Sequence, residues 1–343
     1  MTDSLPTRSL PLPAEAPAPD TRVFDAPKRD RVLWLIGRRL VRAILVAWGV
    51  SLLAFAIVRI VPGDPVATLL GEEATPDRVE VLRERLHLDG SVASQYGSWM
   101  SDVLRGDLGQ SLQTTRPVLE TIGDRLPITL WLIGLGMVFA LILAIPLGLI
   151  GGLTRSNWYK QSFGLGSAAL IATPPFVTGV LLLLVFGVRL RWLPVAGYVD
   201  TFPQNLEYLL LPAVAVGVPV GMIFAIVLQE SIRETNAEEF VETGLVWGLA
   251  KPQFVWRYLL RPSVAPVIGL MGYIVGANLA AAVVVETVFN LEGIGTYLVR
   301  AVLARDYPVV QGTLFTFGFI VVVVHFLSDS ISALIDPRAR TLS

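Results

Sequence analysis

Cysteine is absent from the 343-residue chain, which removes disulfides, thiolate nucleophiles and thiolate metal sites from its chemistry. Histidine occurs twice, at His87 and His325, too few and too far apart for a histidine-based metal cluster. Charge is scarce: 16% of residues are Asp, Glu, Lys or Arg, where a soluble domain averages about 25%. The formal net charge of -1 argues for neither a nucleic-acid nor an acidic-substrate partner. No Gly-Lys pair occurs, so there is no P-loop, and any ATP driving this chain is hydrolysed elsewhere.

What fills the sequence instead is apolar. Hydrophobic residues make up 53% of it, and the mean hydropathy is +0.63. A bilayer needs about 20 apolar residues per helical crossing. Val41 to Val61 meets that length, with Arg42 and Arg59 near its ends where they can snorkel. Further runs lie at about Leu130–Leu153, Phe163–Val188, Leu209–Leu228, Val264–Phe289 and Thr313–Ile335, which predicts six spans in an all-α membrane protein. Residues 1–30 are rich in Pro, Ala and Asp and are expected to be a disordered tail. The first long apolar run begins only after residue 40, so no cleavable signal peptide is expected. Arg31 to Arg39 mixes bulky apolar residues with arginines, as an interfacial helix does, so 31–61 reads as interfacial helix plus first span. Lys28, Arg29, Arg31, Arg38, Arg39 and Arg42 before the first span, and Arg155 with Lys160 after the second, put both termini on the cytoplasmic side.

Pro62-Gly63-Asp64-Pro65 stops the first span, and the polar section 62–127 is expected to form an extracytoplasmic helical domain. Thr75 with Pro76 opens one helix there, carrying the stripe Val79, Leu82 and Leu86. Tyr96, Trp99, Met100, Val103 and Leu104 form a second, ended at Gly106, and Arg116-Pro117 opens a third leading toward the membrane. The tripeptide Arg105-Gly106-Asp107 is a chance match to a cell-adhesion signal. Residues 128–335 then form a five-helix core, and 336–343 a cytoplasmic tail.

The longest polar interruption in the second half is Glu239 to Pro266, between the fourth and fifth spans. Phe240, Val241, Leu245 and Leu249 recur at helical spacing, with Glu238, Glu239 and Glu242 in the first turns where a helix dipole favours acid. Pro252 suits the first turn of a following helix. Gly244 and Gly248 stand on one face, each weakening the helix by about 1 kcal/mol relative to alanine. On physics alone, a surface helix with a tight turn and a docking face for a partner explain this equally well.

Glu242-Thr243-Gly244, three residues and then Gly248 resembles the Glu-Ala-Ala loop of ABC importer permeases. Other phrases extend the resemblance from about Leu33 to Arg340. They are Arg59-Ile60-Val61-Pro62-Gly63-Asp64-Pro65, Arg105-Gly106-Asp107-Leu108-Gly109, Arg125-Leu126-Pro127 and Val285-Glu286-Thr287-Val288-Phe289, followed by residues 304–312 (ARDYPVVQG) and Asp336-Pro337-Arg338. Their order and spacing resemble the B-type permease subunit of the dipeptide, oligopeptide and nickel ABC importer family, the binding-protein-dependent inner-membrane components. The resemblance implies a permease without cofactor or metal. It pairs with a second, similar permease, two ABC ATPase subunits and an extracytoplasmic substrate-binding protein in a bacterial cell membrane. It implies that loop 233–263 docks on an ATPase through Glu239, Glu242, Thr243, Gly244, Trp247 and Gly248. Leu245, Val246 and Trp247 stand where the family carries small and basic residues, so a more apolar docking surface is expected.

Within the spans four residues draw notice. Glu286, near the outer end of the fifth, is expected to face the bundle, as a gate or as a hydrogen-bonding partner of neighbouring loops. Asp329, with Ser328, Ser330 and Ser332 nearby, reads as a proton relay or a local helix contact. Pro174 and Pro175 remove two backbone donors and kink the third span, lining the path or shaping packing. Gly148, Gly151 and Gly152 are expected to serve helix contact. Two other functions remain in view: a nickel-importing permease of the same family, which the few histidines disfavour, and a stand-alone secondary transporter, which inverted repeats would signal and this sequence does not show.

Overall fold

The computed structural model describes residues 29–60, 90–238 and 254–335. The first helix, α1 (Arg29–Ile60), runs unbroken, so the segment expected to lie on the headgroups is continuous with the first span. Helix α2 (Val92–Leu104) begins where the Ser91 hydroxyl accepts from the amide of Ser94 and ends before Gly106, whose φ of +82° lets the chain turn. Its Tyr96 and Trp99 rings lie 5.3 and 5.9 Å from Phe55 of α1, and Trp99 lies 5.8 Å edge-on to Phe315. The apolar stripe of α2 therefore pins one end of α1 to the last helix.

The long helix α3 (Val118–Leu153) starts at Pro117 and passes through Pro127 into the membrane without a break. After it come α4 (Asn157–Ala172), α5 (Pro175–Leu182) with a π-helical turn Leu183–Arg189, and α6 (Gln204–Asn236). A π-helical turn Val255–Leu260 and the short helix Arg261–Ser263 lead into α7 (Ala265–Val288). Helices α8 (Ile294–Leu303) and α9 (Tyr307–Ile335) complete the order. Helices α1, α3, α6 and α9, and α7 with the turns before it, are each long and apolar enough to cross a membrane. Helices α4 and α5 qualify only as a pair, bent by 96°.

The packing of α3 on α6 decides whether that bent pair crosses. Gly136 meets Val216, Gly148 meets Leu228 and Gly152 meets Ile232, so each contact joins residue i to residue i + 80. A constant positive offset means parallel helices. A chain leaving the end of one crossing helix can enter a parallel one only by returning through the bilayer, so α4 and α5 form a broken span rather than a re-entrant loop. Their ends agree: Tyr159 donates to the carbonyl of Leu147 (2.9 Å), while Phe186 packs on the cluster of Ile128, Leu209 and Phe289 at the opposite end. The bundle thus has six crossings.

Two layers of core fill it. At the end holding Arg39 and Asp329, called basal here, Ala144, Phe224, Leu228, Ile232, Leu260 and Val267 pack together. At the distal end, Leu132, Leu209, Val285, Phe289 and Leu291 do so. Helix α9 runs antiparallel to α7, since Gly276 faces Val321 and Gly272 faces Ser328. Chain entry and exit of the described bundle consequently share the basal end, where Arg39 of α1 donates to the carbonyl of Asp329.

Candidate functional site

The loop residues singled out by sequence, Glu239, Glu242, Thr243, Gly244, Trp247 and Gly248, lie outside the described residues. Both of the loop's flanks are described, at the basal end. On the incoming side Ile232 is fully buried against α3, and Arg233 donates to the carbonyl of Gly151 (3.3 Å) while approaching Glu230 at 3.5 Å. On the outgoing side Phe254 stacks on Tyr258 at 6.0 Å, Leu259 and Leu260 are buried, and Trp256 is exposed. The hydroxyl of Ser263 meets that of Thr235 at 3.0 Å and ties the flanks together. Segment 239–253 therefore springs from a closed clasp of α6, α3 and the start of α7.

The clasp is stiff because α3 and α6 touch backbone to side chain. A Cβ on Gly152 would fall 2.5 Å from Ile232, one on Gly148 2.9 Å from Leu228, and one on Gly217 2.5 Å from the carbonyl oxygen of Gly136. Close-packed interfaces of this kind have no slack, so displacement of one helix carries the other with it. The glycines expected to serve helix contact sit in this seam.

At the distal end Glu286 is fully buried and faces the bundle. One carboxylate oxygen accepts from the Thr129 hydroxyl (2.5 Å) and the other from the amide of Thr296 (3.0 Å). Thr129 in turn accepts from the amide of Ile294 (3.0 Å). The carboxylate thus satisfies donors at the start of α8, where a helix leaves unpaired N–H groups and favours negative charge. Space for it exists because Gly293 and Gly295 have no side chains: a Cβ on Gly295 would lie 2.9 Å from the carboxylate and 2.6 Å from the Cα of Val283. Above this staple, Arg125 reaches Glu292 at 3.4 Å, and burial pushes the phenol of Tyr297 above its ordinary value.

A second carboxylate fastens the same end, and sequence reasoning assigned it no role. Asp306 is buried and accepts from the Ser111 hydroxyl (2.6 Å) and the amides of Leu112 (3.1 Å) and Gln113 (3.4 Å), holding the loop before α3 against the turn between α8 and α9. Asp306 and Ser111 are remote in sequence, and only the match of residues 304–312 to a family phrase marked the first of them. Thr129 carried no signal at all among the apolar residues of its span.

Pro174 has an extended backbone (φ −59°, ψ 141°) between α4 and α5, and Pro175 begins α5. Neither can donate to the turn before it, which accounts for the bend. Asp329 lies at the basal end, beside His325 in a cleft between α1 and α9. Glu286 and Asp329 therefore stand at opposite ends of the bundle rather than in one centre. Among the described residues no three His, Asp or Glu side chains are grouped to hold a metal ion.

Comparison with known proteins converges with this geometry. Residues 144–341 match the family model of the binding-protein-dependent transport system inner membrane component, and residues 32–133 match its N-terminal component. A putative peptide transport system permease of Brucella abortus is 33% identical over 312 residues, 89% of this chain and 98% of the relative. A glutathione transport system permease of Escherichia coli is 33% identical over 303 residues, 88% and 97% of the two chains. Among solved structures, the methionine ABC transporter MetNI in inward-facing conformations matches with a TM-score of 0.51 at 15% identity, covering 63% of this chain and 96% of that one, a likeness of fold. A six-crossing bundle, matched along nearly its whole length, belongs to the binding-protein-dependent transport system inner membrane components, the permease subunits of ABC importers.

Proposed function

We propose that this permease forms half of a translocation path for short peptides and that segment 239–253 is its docking element for an ATPase subunit. The observation that carries the reading is the clasp. Both flanks of the segment are fixed to α6, α3 and α7, and α3 and α6 are locked by glycine contacts over the span from Gly136 to Gly152. A push on the segment is then delivered to two crossing helices together, as alternating access requires. ATP closes the dimer of two partner ATPases, which supply the hydrolysis this chain lacks; the docking segment transmits that motion, and α3 with α6 re-aims the cavity. The peptide reading is supported by the names of the relatives at 33% identity.

In this assembly a second, similar permease completes the path, and a substrate-binding protein delivers peptide to the distal end, next to the extracytoplasmic section 62–127. The basic residues at the basal end support a cytoplasmic placement of both termini in an inner membrane. Glu286 serves as a fixed strut of the distal end, and the bend at Pro174 and Pro175 shapes the wall of the path.

The test is Gly248→Trp in the complete transporter, assayed for peptide uptake and for ATPase recovered with the tagged chain. Loss of both uptake and ATPase recovery, with normal membrane levels, is the expected result. Full uptake in the variant refutes docking through this face.

A further inference from the structure

Helices α1 and α9 enclose a cleft of about 340 Å³ at the basal end of the bundle. That volume lies within the range of small-molecule sites, about 300–1,000 Å³. From α1 it is lined by Arg39, Arg42, Ala43, Val46 and Val50, which follow one another at helical spacing on one face. From α9 the lining is Gly318, Val321, Val322, His325, Phe326 and Asp329. Polarity is graded along it. The guanidiniums, the imidazole and the carboxylate share the basal end, and the rest is valine, alanine, glycine and phenylalanine.

The dimensions match one leaflet. Arg39 stands just before the apolar run that opens at Val41, and its bond to the carbonyl of Asp329 sets both groups at that edge of the hydrocarbon. Val50 and Gly318, which close the other end, lie 11 residues further along α1 and α9 respectively, or about 16 Å at 1.5 Å per residue. Half of a hydrocarbon core about 30 Å thick is about 15 Å. Among the described residues, the charged groups lining the mouth are Arg39 and Arg42 from α1 and Asp329 from α9, with His325 beside them, two guanidiniums against one carboxylate. Arg39 is already engaged with the carbonyl of Asp329, so Arg42, whose side chain is exposed, is the group available to an incoming anion.

We infer that the α1/α9 cleft binds one anionic phospholipid of the basal leaflet, its phosphate at Arg42 and Arg39 and one acyl chain along Val46, Val50, Val321 and Val322. A soluble phosphate would use only the mouth, and a zwitterionic lipid would bring its own cation to the guanidiniums; neither uses both the charge and the apolar length. The inference is independent of what the permease transports.

The test uses the assembled transporter in nanodiscs of phosphatidylcholine containing 5% phosphatidylglycerol of the same chain length, with lipid retained after detergent extraction counted by native mass spectrometry. The parent is expected to retain phosphatidylglycerol at least tenfold above its share of the membrane. Arg42→Gln removes most of that enrichment, and Asp329→Asn, which deletes the one opposing carboxylate, raises it. Val46→Trp, filling the apolar length without touching charge, lowers it as Arg42→Gln does. Equal retention in the parent and Arg42→Gln overturns the inference. So does full displacement of the lipid by millimolar inorganic phosphate, which would make the site one for a soluble anion. Cross-linking of Val46→Cys to a neighbouring permease would likewise overturn it by placing protein in the cleft. ATPase activity is not needed for any of these measurements, so a misassigned substrate leaves the outcome readable.

Discussion

Replacing Glu286 tests the distal staple directly. In Glu286→Ala the Thr129 hydroxyl and the Thr296 amide lose their acceptor in a place the solvent does not reach, since Glu286 is 0% exposed. Each buried donor left unpaired costs about 1–3 kcal/mol, so the pair costs about 2–6 kcal/mol before any loss of packing. Glu286→Gln keeps the shape and one acceptor. Its oxygen can take the Thr296 amide while its amide donates to the Thr129 oxygen, at the expense of the Thr129 proton, a cost of about 1 kcal/mol. Thermal unfolding of the purified chain in detergent, followed by tryptophan fluorescence, should therefore rank parent above Glu286→Gln above Glu286→Ala. The alanine variant should fall by at least about 4 °C at roughly 2–4 °C per kcal/mol. The Thr129→Val background should shrink the alanine effect, because one of the two donors is already gone. An alanine variant within 1 °C of the parent, or a glutamine variant that falls as far as alanine, would refute the staple and favour a carboxylate kept for gating.

Two further predictions concern the bundle. Gly152→Leu places carbon 2.5 Å from Ile232, where ordinary contact is about 3.5–4.0 Å. It should force α3 and α6 apart by about 1 Å, destabilise the chain by about 1–3 kcal/mol and uncouple uptake from ATP hydrolysis; unchanged uptake per ATP would show that the two helices do not move as one. Because the chain has no cysteine, single cysteines at Ser156 and Thr201 can be labelled without background. Membrane-impermeant maleimide should reach them from opposite sides of the bilayer, and labelling of both from one side would make α4 and α5 a re-entrant loop.

Much of this protein was legible in its composition and order. The lack of charge and the spacing of apolar runs identify six crossings, because a bilayer core admits only backbone that satisfies its own hydrogen bonds and so demands long uninterrupted helices. Pro174-Pro175 announces a break, since missing N–H groups act locally whatever surrounds them. Gly244 and Gly248 with Glu242 carry the resemblance to the family's Glu-Ala-Ala loop, and they lie outside the described residues.

Other features depend on residues far apart in the chain. Sequence gives no means of knowing that Thr129 completes the site of Glu286, that Ser111 meets Asp306, or that Arg39 and Asp329 share one end of a cleft. Where the broken span goes is of the same kind: the prolines establish a bend, but the crossing follows from the parallel register of α3 and α6, fixed by which glycine faces which side chain. The sequence by itself determined the class of solvent, the number of long apolar runs and the places where backbone hydrogen bonding fails, all of them local or additive properties. Only the tertiary structure decided helix direction, pairing and the partners of the buried carboxylates, because those depend on steric fit between surfaces that the chain brings together after it has folded.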